Sequence, residues 1–289
     1  MSRAATAAGR IMGACAARPW LVEGGRRRRT EATRMGIPEV AAYLQGQFHE
    51  VQGWCIPHLW NLIQPLHEWQ EANGIHGPVG EIGVFHGKFF IGLALTKKGQ
   101  RPHLALDVFD MQQFNLDGAG KGNRAAFEAN LAAAGFGPGE VEIRRADSMA
   151  ITRAELDEIR ALCGGFSMFS VDGCHMAEHT INDFRIAMDL TRPGGVIFVD
   201  DYLNMDWPGV QEGLARLYLT DCPRWVPFAY SSNKLLCAHI SHAGAMLRHL
   251  RTAVAEMFPE ATIRMVRRFG YDCLNLRPDM KGRRYTADA

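Results

Sequence analysis

The chain has 289 residues, 47% hydrophobic and 22% charged, with a formal net charge of +1. That balance belongs to a globular protein with enough apolar material for one large core, and it excludes overall disorder. No run reaches the roughly 18 apolar residues that a membrane span needs, and seven scattered cysteines (15, 55, 163, 174, 222, 237 and 273) without a C-x-x-C pair exclude a zinc module and a disulfide framework. A reducing, cytoplasmic setting without a membrane partner is expected.

The small net charge conceals an asymmetry. Residues 1–34 carry eight arginines against Glu23 and Glu31, so the rest of the chain is net acidic. A transit peptide, a nucleic-acid-binding arm and a solvated extension compete for this Ala/Arg/Gly-rich lead. The third is expected: a disordered extension, with Met35 as an alternative start. An acidic body argues against nucleic acid as the substrate.

From Met35 the pattern becomes regular. Pro38 opens a helical stretch to about Trp54, and a second runs from about Pro57 through Ala72, closed by Asn73-Gly74. Residues 35–76 are therefore expected to form helices that serve as a lid or a homodimer contact. Strand and helix patterns then alternate: VGEIGV (79–84), a helix after Gly87, HLALDVF (103–109), a helix over 123–134, VEIRRAD (141–147), a helix over 152–162, FSMFSVD (166–172), a helix over 177–191, and GVIFVDD (195–201). Such alternation implies a parallel, doubly wound sheet with helices on both faces. After a helix over 208–219, WVPFAYS (225–231) and KLLCAHI (234–240) are separated only by Ser232-Asn233, which requires an antiparallel hairpin.

In an open α/β sheet, ligands lie at the carboxyl ends of the strands. The first strand runs into Glu81-Ile82-Gly83-Val84-Phe85-His86-Gly87, where Gly83 and Gly87 let the backbone approach a nucleotide-like ligand and Glu81 offers an acceptor for a cationic amine. The E-x-G-x-x-x-G pattern is neither the dinucleotide G-x-G-x-x-G nor a P-loop. Asp107 ends the second strand and can accept two ribose hydroxyls; Asp147-Ser148 follows the third. Together these resemble the class I S-adenosylmethionine-dependent methyltransferases. The resemblance implies a Rossmann-like sheet of seven strands, mostly parallel and finished by the antiparallel hairpin, over a core at 77–240, with a helix and strand extension at 241–289. It also implies that Glu81, Gly83 and Gly87 hold the methionine end of the cofactor, Asp107 its ribose, and Asp147 and Ser148 its adenine.

The fourth strand ends on Asp172 and the fifth on Asp200 and Asp201. Neighbouring strands would bring three carboxylates to one edge, where their repulsion favours protonation or a shared divalent cation. An all-oxygen set suits a hard ion such as Mg²⁺. The spacing (200 − 172 = 28) is similar to that of metal-dependent O-methyltransferases of the catechol and macrocin types. Two departures stand out: Asp201 replaces the Asn of the catechol enzymes, and His175 stands where they carry a catalytic Lys.

The resemblance implies methyl transfer to a hydroxyl of a small molecule, a vicinal diol, sugar or phenol. His175, with an ordinary pKa near 6.5, is suited to take the proton at neutral pH, and Asp172 is the competing base. His86 is expected in a turn, Lys88 in solvent or at the cofactor carboxylate, His179 exposed, and Tyr202 and Trp207 in a wall of the acceptor pocket. Two alternatives remain: a nicotinamide-dependent oxidoreductase, which should carry G-x-G-x-x-G, and a non-catalytic cofactor-binding protein, which has no use for the three acids.

Overall fold

The computed structural model describes residues 37–100, 102–259 and 263–276. The basic extension expected at 1–34 lies outside them.

The elements run α1 (Pro38–Gln45), α2 (Trp60–Ala72), β1 (Val79–Ile82), α3 (Lys88–Thr96), β2 (His103–Asp107), α4 (Arg124–Ala133), β3 (Val141–Arg145), α5 (Arg153–Cys163), β4 (Phe166–Val171), α6 (Ala177–Leu190), β5 (Thr191–Val199), α7 (Pro208–Thr220), β6 (Trp225–Ser231), β7 (Lys234–His239), α8 (Ile240–Met257), β8 (Ile263–Arg268) and β9 (Tyr271–Leu276). The first helical stretch is shorter than its apolar spacing suggests. Gly46 leaves helical geometry at φ −119° and ψ −101°, a single 3₁₀ turn follows over Gln47–His49, and residues 50–56 contain no helix.

One sheet has the order β3-β2-β1-β4-β5-β7-β6-β9-β8. The first five strands in this order pair in parallel, β7 pairs antiparallel with β5 and β6, and β9 joins β6 in parallel. Among the described residues the sheet thus has nine strands rather than seven. The additional two form an antiparallel hairpin on the outer edge of β6, where Cys273, Leu274 and Leu276 are buried.

Strand alternation feeds two cores. On β5, Val196 and Phe198 join α1, α2, α3, α4 and α8 on one face, while Ile197 and Val199 join α5, α6 and α7 on the other. This double burial is why the strands read as continuous apolar runs. The N-terminal helices belong to the first core: Trp60 is fully buried, and its indole lies 2.1 Å from where a Cβ on Gly92 would stand. Local signals set the helix starts, as at α5, where Thr152 and Glu155 form a reciprocal capping box.

Candidate active site

The carboxyl ends of β1 to β5 open into one cavity of about 1000 Å³. Gly83, Asp107, Asp147 and Ser148 line one part of its wall, and Asp172, His175, Asp200 and Asp201 another. The loop before α2 contributes Gly53, Trp54, Cys55 and Ile56, and the long β2–α4 connection contributes residues from Gln112 to Gly122.

The cofactor residues divide. Gly83 has φ 85°, and a Cβ there would fall 1.8 Å from the Asp172 carbonyl oxygen; β1 and the end of β4 can meet only over a glycine. Gly87 (φ 92°) begins α3 away from the cavity lining, where a Cβ would lie 2.9 Å from the Phe127 ring. Its need for glycine is met by helix packing. Asp107 takes the backbone N–H of Phe109 on Oδ1 (2.6 Å) and that of Phe85 on Oδ2 (2.8 Å), which fixes the carboxylate and leaves lone pairs for a ribose. Glu81 is 2% exposed and its Oε2 has no hydrogen-bond partner; burial pushes its pKa up to about 8. Like Gly87, Glu81 is not among the residues lining the cavity; its orphaned oxygen, two residues before Gly83, would suit the ammonium of a bound amino-acid moiety.

The acidic end is arranged differently from three acids around one ion. Lys234, the first residue of β7, is buried and ion-pairs with Asp200. Register explains the meeting, because Val199 on β5 faces Leu235 on β7. Burial pulls the Lys234 pKa down, but Asp200 and Asp172 outweigh it and hold the ammonium above the ordinary lysine range. Its Nζ also lies 4.4 Å from the Phe89 ring centroid. Burial first, and Asp200 second, raise the Asp172 pKa well above its ordinary value.

Asp201 takes a left-handed conformation, φ 54°, costly for a non-glycine residue and of a kind that concentrates at functional sites. Its Oδ1 accepts from Asn204 (2.9 Å) and Asn233, and its Oδ2 lies 3.0 Å from His175 Nε2. Asp172 Oδ1 is 3.9 Å from the same nitrogen. On the other side of the ring, Asp117 Oδ2 is 2.7 Å from Nδ1. The pKa of His175 is therefore not near 6.5: burial lowers it, but Asp117 and Asp201 prevail and raise it to about 10. In this arrangement His175 is an imidazolium at neutral pH.

Asp172, His175 and Asp201 offer one donor atom each within 4.8 Å of one another. The two carboxylates would suit a hard divalent ion such as Mg²⁺, whereas His175 would have to lose its Nε2 proton to join them. Asp200 is outside this trio, because its charge is already met by Lys234.

Asp117, Asn204, Asn233 and Lys234 are the site residues that motif reading misses. A lysine opening the apolar strand KLLCAH and an acid in the glycine-rich connection DGAGKG are the signals that could have found two of them. Of the side residues, Trp207 does wall the site, stacked on His175 at 4.4 Å and 16°. His86 stacks on Phe85. Lys88 is half-buried and donates to the Gly53 carbonyl (3.2 Å). His179 is half-buried and lines the cavity, and Tyr202 is buried.

Residues 81–202 match the family model described as a methyltransferase domain. No curated protein sequence matches the chain. Among solved structures, the fold is similar to that of the O-methyltransferase NovP, at 15% identity and a TM-score of 0.51, over 64% of this chain and 80% of that one. CalS11, a TDP-rhamnose 3'-O-methyltransferase of calicheamicin biosynthesis, is similar at 15% identity and a TM-score of 0.46, over 69% and 93%. A Bacillus cereus O-methyltransferase in complex with SAH gives 16% identity and a TM-score of 0.43, over 73% and 92%.

The matched segment begins at Glu81, runs through every strand end that lines the cavity from β1 to β5, and ends just past Asp201. This segment is similar to a methyltransferase domain.

Proposed function

We propose that the methyl acceptor is a hydroxyl oxygen of a small molecule, held at Asp172, His175 and Asp201. The observation that carries this reading is the meeting of two carboxylates and an imidazole in the wall of the cavity that also holds Gly83, Asp107, Asp147 and Ser148. NovP's description as an O-methyltransferase is in line with an oxygen acceptor.

Bound S-adenosylmethionine supplies an electrophilic methyl group, with Glu81 and Gly83 at its amino-acid end, Asp107 at its ribose, and Asp147 and Ser148 at its adenine. Asp172 and Asp201 would hold a divalent cation, which would lower the pKa of an acceptor hydroxyl and favour two adjacent oxygens, as in a diol or catechol. The chain's own residues orient the acceptor and move its proton. His175 can take that proton at Nε2 once its own Nε2 proton has been lost to water. Asp172, whose pKa burial and Asp200 hold well above the ordinary carboxylate value, is the competing base. Trp207 and Trp54 offer flat walls to a ring.

Calorimetry tests the cofactor end. S-adenosylhomocysteine should bind, Asp107→Ala should weaken it on the order of tenfold or more, and binding of NAD in its place would overturn the reading. Transfer of a radiolabelled methyl group to catechol and sugar acceptors tests the other end. Asp201→Ala should lower transfer on the order of 100-fold while the affinity for S-adenosylhomocysteine changes by less than about threefold. Full transfer in excess chelator would remove the cation from the scheme, and full transfer by Asp201→Ala would remove the site.

A further inference from the structure

The connection between β2 and α4, residues 108–123, is long for its kind, since such links commonly have about 2–6 residues. It forms part of the cavity wall on the cofactor side, where a Cβ on Gly122 would stand 2.8 Å from Asp107 Oδ1. Asp117 lies on this connection with its side chain only 8% exposed. Its Oδ1 accepts from the backbone N–H of Ala119 (2.9 Å). Its Oδ2 accepts from the backbone N–H of His175 and faces His175 Nδ1, both at 2.7 Å.

We propose that Asp117 is a positioning residue for His175. By accepting the Nδ1 proton it fixes the ring so that Nε2 is turned toward Asp201 and the acceptor, and Trp207 prevents rotation out of that plane. An imidazole can shuttle a proton at one nitrogen only if the other is committed, and a buried carboxylate behind the ring is the usual means of committing it. The same carboxylate ties the β2–α4 connection to His175, so one side chain holds both the cover of the cofactor end and the aim of the proton-handling group. The inference rests on the reading that His175 faces the acceptor.

The alternative is that Asp117 only anchors its loop. The full chain labelled with ¹⁵N-histidine separates the two by NMR, with the His175 signal assigned through its loss in His175→Gln. A downfield, exchange-protected Nδ1 proton is expected in the wild type, free and with S-adenosylhomocysteine. Asp117→Ala should abolish it, and Asp117→Asn, which retains an acceptor oxygen without charge, should shift it; the Asn variant also serves if Ala does not fold. Calorimetric affinity for S-adenosylhomocysteine should change by less than about threefold in either variant. Absence of a protected Nδ1 proton in the wild type, or its unaltered survival in both variants, overturns the proposal. Failure of the wild type to bind S-adenosylhomocysteine would instead count against the methyltransferase reading, and the NMR comparison on the free protein would still decide the role of Asp117.

Discussion

Lys234 and Asp200 form a buried pair whose members are not equivalent. Lys234 has two acid neighbours, Asp200 and Asp172, whereas the ammonium is the partner that meets the Asp200 charge. Removing the cation strands two carboxylates in the interior; removing Asp200 leaves Asp172 to balance the ammonium. Lys234→Met is therefore expected to cost about 3–5 kcal/mol of stability, the range for breaking a buried pair, and Asp200→Asn distinctly less. Urea unfolding measures both, and an equal or smaller loss for Lys234→Met would show that the acids do not depend on the ammonium. At this scale the acids were legible in the sequence, since a charge ending an apolar strand is conspicuous. Their partners were not, because Lys234 and Asp117 reach the site from 34 and 58 residues away from the groups they bind.

Within the sheet, β1 and β2 are locked by a side chain as well as by their ladder. His103 on β2 is 1% exposed and its Nδ1 accepts the Val79 backbone N–H at 3.1 Å, a bond that requires the neutral ring. Burial lowers its pKa to about 4. Between pH 6.5 and about 4 the unfolded chain binds a proton at this site and the folded protein does not. Stability from His103 is thus fully present above pH 6.5 and is lost as pH falls through that window, by up to about 3 kcal/mol. His103→Asn, which keeps an acceptor without a titrating group, should be less stable overall but show a flatter dependence over that range in chemical unfolding at several pH values. An unchanged slope would place the acid sensitivity elsewhere. Element types followed from periodicity and from the two-sided burial of the strands. The end of α1 did not, because Gly46 and the following 3₁₀ turn interrupt a stretch whose apolar spacing continues.

For the whole molecule, β8 and β9 extend the sheet beyond its hairpin and reach back toward the site. Arg268 lies over the rings of Tyr202 and Tyr230, at 5.2 and 5.0 Å, and Phe269 stacks on Tyr218 at 4.2 Å; Tyr202 directly follows Asp201. Ending the chain at Met257 would remove the buried Cys273, Leu274 and Leu276 and open the outer edge of β6. The thermal midpoint should fall by more than about 10 °C, with concentration-dependent self-association through the freed edge. Calorimetry and size-exclusion chromatography measure these, and an unchanged midpoint would make the hairpin an independent appendage. By itself the sequence determined the alternating α/β order, the antiparallel hairpin and which strand ends carry acids, because each is written in a local period or a short connection. Only the tertiary structure decided how those acids are used: strand register brings Lys234 to Asp200, the long connection brings Asp117 to His175, and in a buried site desolvation and the neighbouring charges together set each group's protonation.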